Sequence, residues 1–283
     1  MRLFGRHPSP GERYNCTVRI RRIDEKSVVA DLTLGRNGRA WAVLESWEDR
    51  RFDSDPRFWN MLIWPEKSAL AEVQPEGFVL FEDPYRAAPT RDQMHRRFLG
   101  EAERADYERQ GPRKQRAWLS GRVAAKDAVR HLLGQLGHGP LFPVEVTLDN
   151  EPSGRPVVST RFEEDIRISI AHKDDTAVAI AREGQDVGID IERIEPRADA
   201  FAELSFAAEE LRLVADEPRD VGWTRLWAAK EAAAKARGTG LEGAPRKFPI
   251  RDRVGGRLLV DGVWVDTKRH GNYIIAWTVH ERK

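Results

Sequence analysis

Only one cysteine, Cys16, stands in 283 residues, so no internal disulfide framework can staple the fold, and a reducing compartment suits the chain. No run of about 18 apolar residues occurs, so no transmembrane helix is expected. Residues 1–10 hold arginines with no apolar stretch after them, so a secretory signal is not expected and a cytoplasmic location is. Charge of either sign is nearly cancelled: 47 Lys and Arg against 46 Asp and Glu leave +1. No global field therefore points to nucleic acid or membrane, and neither is expected as a partner. Long low-complexity tracts and evident short repeats are also missing. The length suffices for one large or two ordinary domains with real cores.

Two acidic motifs are present, about forty residues apart: Val187-Gly188-Ile189-Asp190-Ile191-Glu192, and Trp227-Ala228-Ala229-Lys230-Glu231-Ala232-Ala233-Ala234-Lys235. In the first, Asp190 and Glu192 alternate with branched apolar residues, and a strand would put both carboxylates on one face. In the second, Glu231 and Lys235 are four apart among strong helix formers and share a helix face. Three carboxylates and a lysine from two elements can hold a divalent cation against a phosphorylated substrate. Each motif also has a plain structural explanation. One is a strand with a wet face; the other is a Glu-Ala-Ala-Ala-Lys spacer helix whose ion pair contributes only about 0.2–0.5 kcal/mol.

Short strands are predicted at residues 17–23, 27–34 and 39–47, with turns at 24–26 and 35–38 and a closing run Glu48-Asp49-Arg50-Arg51-Phe52. Residues 53–93, rich in proline, read as connection with one or two strands, including the apolar run 77–81. Helices are predicted over 96–109 and 115–136, the second ended by Gly134 and Gly137. Strands follow at 144–148, 166–171, 177–181 and 187–191, with Glu183-Gly184-Gln185 as a hairpin turn between the last two. Helices at 201–216 and 224–237 and strands at 257–265 and 273–280 complete the chain.

The C-terminal part resembles 4′-phosphopantetheinyl transferases of the surfactin-synthetase type. Four blocks carry the resemblance in order: Gly154-Arg155-Pro156; Ile168-Ser169-Ile170-Ala171-His172; Gly188-Ile189-Asp190-Ile191-Glu192; and Trp227 to Lys235 with Gly238-Thr239-Gly240-Leu241. A looser block lies at Phe98-Leu99, Glu101, Glu103-Arg104 and Trp118 to Lys126, so the resemblance covers about residues 80–283. It implies an α+β fold. Two α+β halves would form a pseudo-twofold pair, each a long helix packed on a small, mostly antiparallel sheet. The expected divisions are an N-terminal strand extension (1–60), a first transferase half (61–150) and a second half carrying the metal site (151–283). Residues 1–60 also loosely resemble the closing strands of a polyketide synthase dehydratase, as if the chain were cut from a larger synthase or kept a remnant of one.

The implied activity moves the 4′-phosphopantetheine arm of coenzyme A to a serine of an acyl or peptidyl carrier protein, releasing 3′,5′-ADP. The chemistry asks for a hard cation across the pyrophosphate, a base at the serine and cations at the leaving phosphate. By resemblance, Asp190, Glu192 and Glu231 bind Mg²⁺ or Mn²⁺, Glu231 is also the general base, and Lys235 assists the leaving phosphate. His172 and Ser169 are expected at the coenzyme, although Ala171 stands where many relatives have serine. Residues 96–130 carry ten Lys and Arg against five Asp and Glu. From that stretch Arg122, then Lys114 or Arg116, are expected to grip the 3′-phosphate. Lys173 and Lys230 are further phosphate neighbours, and Phe201–Asp216 with Trp223 could face the carrier. A monomer is expected. Two alternatives stay open: a metal-dependent nuclease, and a catalytically silent scaffold that docks carrier proteins.

Overall fold

The alternation of branched and charged residues near the N-terminus favours extended chain, and in the computed structural model it forms four strands. They are β1 (Arg2–Leu3), β2 (Asn15–Ile23), β3 (Ser27–Arg36) and β4 (Arg39–Arg50), in one antiparallel sheet of order β1-β4-β3-β2. Asn37 and Gly38, both at positive φ, make the tight β3–β4 turn. The structure describes residues 1–24, 27–50 and 55–279, with the side chain of Arg113 left aside. Most of the predicted 24–26 turn, the Arg51-Phe52 end of the dehydratase-like stretch, Asp53, His280 and the Arg113 side chain therefore lie outside the described residues. The chain divides into two units, Met1–Pro56 and Arg57–Lys283.

The second unit begins with α1 (Pro56–Ile63), a helix the sequence reading took for connection because of its proline. Pro56 is at its first position, where the missing N–H costs nothing. Then come β5 (Glu72–Val73), β6 (Val79–Glu82), α2 (Ala88–Phe98), α3 (Glu101–Arg109) and α4 (Pro112–Gln135). The single helix expected over 96–109 is in fact broken at Leu99-Gly100, where the Glu103 side chain accepts the Gly100 N–H at 3.1 Å and starts α3 afresh. Next are β7 (Thr147–Asn150), β8 (Pro156–Ser159), β9 (Ile166–Lys173) and β10 (Thr176–Glu183). These strands form an antiparallel sheet of order β5-β6-β10-β9-β8-β7. The division expected at residue 150 thus falls inside one sheet, because β7 before it hydrogen-bonds to β8 after it.

β11 (Ile189–Arg193) leaves this sheet. No hairpin joins it to β10; it pairs instead with β15 (Tyr273–Val279). Between them lie α5 (Asp199–Ser205), α6 (Ala208–Arg212), α7 (Arg219–Ala236), β12 (Ile250–Val254), β13 (Arg257–Val260) and β14 (Val263–His270). The second sheet of this unit runs β11-β15-β14-β13-β12. As in the first half, an expected single helix (201–216) is split, at Phe206-Ala207, by a glutamate that caps the second piece: Glu210 accepts the Ala207 N–H at 2.7 Å.

α4 packs on β10, β9 and β6, and α7 packs on β15, β11 and β14. On β10, Ala177, Ala179 and Ala181 join the core under α4, while Val178 and Ile180 point the other way. There they meet Phe78 and Leu80 of the β6 region and Ile189, Ile191, Ile275 and Trp277 of β11 and β15. This third cluster fastens the two sheets together and leaves Asp190 and Glu192 on the opposite face of β11.

The two helices are anchored alike. Lys126 of α4, fully buried, donates to Phe98 O and Glu103 Oε2, both at 2.6 Å. Lys230 of α7, also fully buried, donates to Ser205 O and Glu210 Oε2, both at 2.9 Å. Each lysine ties its helix to the glutamate that caps a preceding short helix. The matching sequences, Ala124-Ala125-Lys126-Asp127 and Ala228-Ala229-Lys230-Glu231, form an internal repeat that the sequence reading passed over.

Candidate active site

The acidic residues of β11 and α7 come together because the helix approaches unusually closely. Gly188, just before β11, has no room for a side chain: a Cβ there would overlap the carbonyl oxygen of Ala232 and come 2.8 Å from the Ala236 nitrogen. Ala228, Ala229, Ala232 and Ala233 are buried on the facing side. The Glu-Ala-Ala-Ala-Lys stretch is therefore a packed core helix, not an inert spacer. Ser169 of β9, itself buried, accepts the Ile189 N–H at 3.0 Å and fixes the start of β11. Its hydroxyl oxygen is thereby engaged one residue before Asp190, while the residue itself lines the cleft described below.

Asp190 is 6% exposed. Its Oδ1 pairs with Lys235 Nζ at 2.7 Å, and Lys235 also donates to Ile189 O at 3.1 Å. Lys235 thus reaches across to the strand instead of folding back on Glu231. Asp190 Oδ2 is buried with no hydrogen-bond partner among the described residues. Burial pushes the Asp190 carboxyl above the usual carboxylate range, against the pull of Lys235. Glu231 is held up as well, first by burial and then by the charge of Asp190, with Lys235 opposing. Glu192 Oε2 pairs with Lys173 Nζ at 2.8 Å and with Arg197 at 3.5 Å, and its Oε1 accepts from Trp227 Nε1 at 3.2 Å. Arg197 lies over Phe201 and Trp227. The sequence reading missed this residue; its only signal was an arginine between two acidic motifs with an aromatic four residues on.

Beside Lys235 opens a cleft of about 210 Å³ lined by Gly154, Arg155, Pro156, Ser169, Gly238 and Thr239, among others. Three of the four motif blocks, far apart in sequence, contribute to its walls: those of Gly154, Ile168 and Lys235. Arg155 pairs with Asp186 and lies 3.3 Å from where a Gly238 Cβ would stand. His172 is exposed at the end of β9 near Gly121 of α4. Its imidazole is held below the usual range, first by loss of water and then by Lys235 and Lys173, so it is biased towards the neutral form.

Other expected phosphate contacts are committed elsewhere. Lys230 is the fully buried anchor of α7, so it cannot reach a ligand in this arrangement. Arg122 is 6% exposed, stacks at 4.6 Å on Trp118 and faces the charges of Glu103, Asp106 and Asp149. Arg116 is spent on Asp83 at 2.7 Å and Asp175 at 2.9 Å. Lys114 remains exposed in the first turn of α4. Among the described residues no three His, Cys, Asp or Glu side chains stand as a ready-made metal cage. Lysines face two of the three expected carboxylate ligands.

Residues 186–278 match the family described as the 4′-phosphopantetheinyl transferase superfamily. The match contains Asp190, Glu192, Glu231 and Lys235. The chain is 30% identical over 125 residues to the 4′-phosphopantetheinyl transferase HetI of a Nostoc species, covering 42% of this chain and 52% of that protein. It is 30% identical over 126 residues to the 4′-phosphopantetheinyl transferase psf-1 of Bacillus pumilus, covering 44% and 52%. The chain spans about half the length of these two curated relatives. It is also similar to a holo-(acyl-carrier-protein) synthase of Bacillus anthracis solved with CoA (3′,5′-ADP), at 26% identity, covering 38% of this chain and 93% of that one, with a TM-score of 0.33. So low a score leaves the fold to be argued from this chain's own strands. These matches carry transferase or synthase names, and none supports the dehydratase resemblance of residues 1–60. Among the described residues no helix is long and apolar enough to cross a membrane.

Proposed function

We propose that this chain transfers the 4′-phosphopantetheine arm of coenzyme A to a serine hydroxyl of an apo acyl or peptidyl carrier protein, releasing 3′,5′-ADP. The observation that carries the reading is the cleft lined by Lys235 and by three of the motif blocks, with Lys235 linking it to the buried carboxylate of Asp190 on β11. The matched family and the relatives named for this activity support it. The repeated lysine anchors support a pseudo-twofold pairing of the halves, and at the repeat's fourth position in the second half Glu231 makes no hydrogen bond among the described residues. In the first, Asp127 accepts the Leu70 and Ala71 N–H groups and pairs with Arg130.

Glu231, raised by burial, suits a general base for the serine hydroxyl. The serine oxygen forms the new bond to the β-phosphorus, the anhydride bond breaks, and the electron pair leaves on the phosphate of 3′,5′-ADP. Lys235 donates to that phosphate as its charge grows. His172, exposed at the end of β9, and exposed Lys114 are the remaining coenzyme contacts we assign. The donor set fits a hard divalent cation: Asp190, Glu192 and Glu231 are oxygen ligands, and Asp190 Oδ2 is buried without a partner among the described residues. Such a cation, Mg²⁺ or Mn²⁺, would screen the pyrophosphate charge. The chain acts as a monomer in this reading.

The test is intact-mass spectrometry of apo carrier proteins incubated with the chain, coenzyme A and Mg²⁺. A gain of about 340 Da on the carrier, the mass of the arm in a group transfer of this type, is expected. No gain across several apo carriers, with coenzyme A binding intact, would overturn the reading in favour of a docking scaffold.

A further inference from the structure

Lysines pair with two of the three carboxylates that would hold a metal ion. Lys173 Nζ is 2.8 Å from Glu192 Oε2, with 34% of the lysine side chain exposed and 16% of the glutamate. Lys235 Nζ is 2.7 Å from Asp190 Oδ1, with 29% and 9% exposed. The two lysines act electrostatically on the same imidazole, His172. Each is thus paired with a carboxylate and within electrostatic reach of His172, one of the residues assigned to the coenzyme. Lys173 has the greater freedom, because Lys235 is also tied to the Ile189 carbonyl, whereas Lys173 makes no hydrogen bond other than the one to Glu192 among the described residues. Arg197, in contrast, is stacked on the Phe201 and Trp227 rings with only 14% of its side chain exposed and is held in place.

We infer that Lys173 is an exchangeable counter-ion: it holds Glu192 when no metal is bound, and a divalent cation takes its place. Released from Glu192, its ammonium is free to meet the phosphates of the incoming coenzyme. Metal and polyanion then assist one another through a single side chain, each favouring the lysine position that the other needs. The exchange also removes a cost: without Lys173, Glu192 and its acidic neighbours would repel one another in the empty site. The metal-dependent reading above supplies the identity of the two ligands; the lysine–glutamate pair itself is independent of it.

The test measures binding, not turnover. Mn²⁺ affinity is read by electron paramagnetic resonance without nucleotide, and 3′,5′-ADP affinity by calorimetry with Mn²⁺ present. Lys173→Gln should bind Mn²⁺ about five- to tenfold tighter, since a part-buried competing charge is gone, and should bind 3′,5′-ADP more weakly. Opposite signs are the signature, because a merely structural lysine would lose both. In a Glu192→Gln background the Mn²⁺ gain should vanish. Mn²⁺ affinity that does not rise, nucleotide affinity that does not fall, or a gain that persists without Glu192 would overturn the exchange. If the opposite changes appear while no carrier protein is modified, the exchange stands and the transferase reading falls. If carriers are modified but the affinities do not part, the exchange alone falls.

Discussion

Lys235 reaches from α7 to Asp190 on β11 and satisfies only one of its two carboxylate oxygens. A buried carboxylate left half paired is costly, and Glu231 on the same helix adds a second charge of the same sign. The strain is relieved when a proton or a cation enters, which is the behaviour wanted of a base beside a metal position.

Glu231→Gln should lower transfer by about 10²- to 10⁴-fold, the usual contribution of a general base, with coenzyme A affinity little changed. The wild-type rate should climb with pH through the raised Glu231 value, because the base must be ionised. Rates from intact-mass time courses across pH would show that limb in the wild type and its loss in the variant. A variant with undiminished transfer would remove Glu231 from the mechanism.

The same substitution should make the protein more stable. In the folded state the Glu231 carboxyl is held above its ordinary range, first by burial, so the folded chain binds more protons than the unfolded one between the two values. Stability from this group is full below the unfolded value and is lost as pH rises through the folded one. Thermal melts should therefore find Glu231→Gln higher by on the order of 2 °C above that window, with the difference fading in acid.

Lys126→Met and Lys230→Met should each cost about 3–5 kcal/mol, because each strands a buried glutamate. Urea denaturation would measure both. Replacing the lysine and its glutamate together, as Lys230→Met with Glu210→Leu, should recover part of the loss, though the capping bond to Ala207 goes with Glu210.

Much of this was legible in the sequence. Strand alternation put Asp190 and Glu192 on one face, and helical spacing put Glu231 beside Lys235. What escaped it is what depends on tertiary partners. Nothing local says that the neighbouring lysines 230 and 235 differ, one sealed against Glu210 and the other at the mouth of a cleft. Arg116 reads as a free cation because Asp83, which engages it, approaches only in the fold, whereas the stacking of Arg122 on Trp118, four residues back on α4, was open to helical spacing and was missed. The split helices follow from glutamate caps at Gly100 and Ala207, both without a capping side chain of their own. The supposed β10–β11 hairpin failed because the partner of β11, β15, lies more than eighty residues on.

Gly188→Ala should be among the most damaging single changes, since the new methyl would meet the backbone of α7 and not a side chain that can turn away. Overpacking usually costs about 1–3 kcal/mol, occasionally more, and here the helix carrying Glu231 and Lys235 must shift. We expect lower stability in urea together with lost transfer. Full stability would mean that α7 has slack that the contact with Ala232 does not suggest.

Arg116→Met should act on stability and leave the coenzyme alone. Its guanidinium holds buried Asp83 and, through Asp175, the β9–β10 turn, so removal strands a carboxylate at a cost of about 3 kcal/mol. Titration with 3′,5′-ADP should give wild-type affinity, whereas Lys114→Met, which touches no such pair, should leave stability intact and weaken nucleotide binding. The reverse pattern would return Arg116 to the phosphate and require Asp83 to find another partner when coenzyme binds.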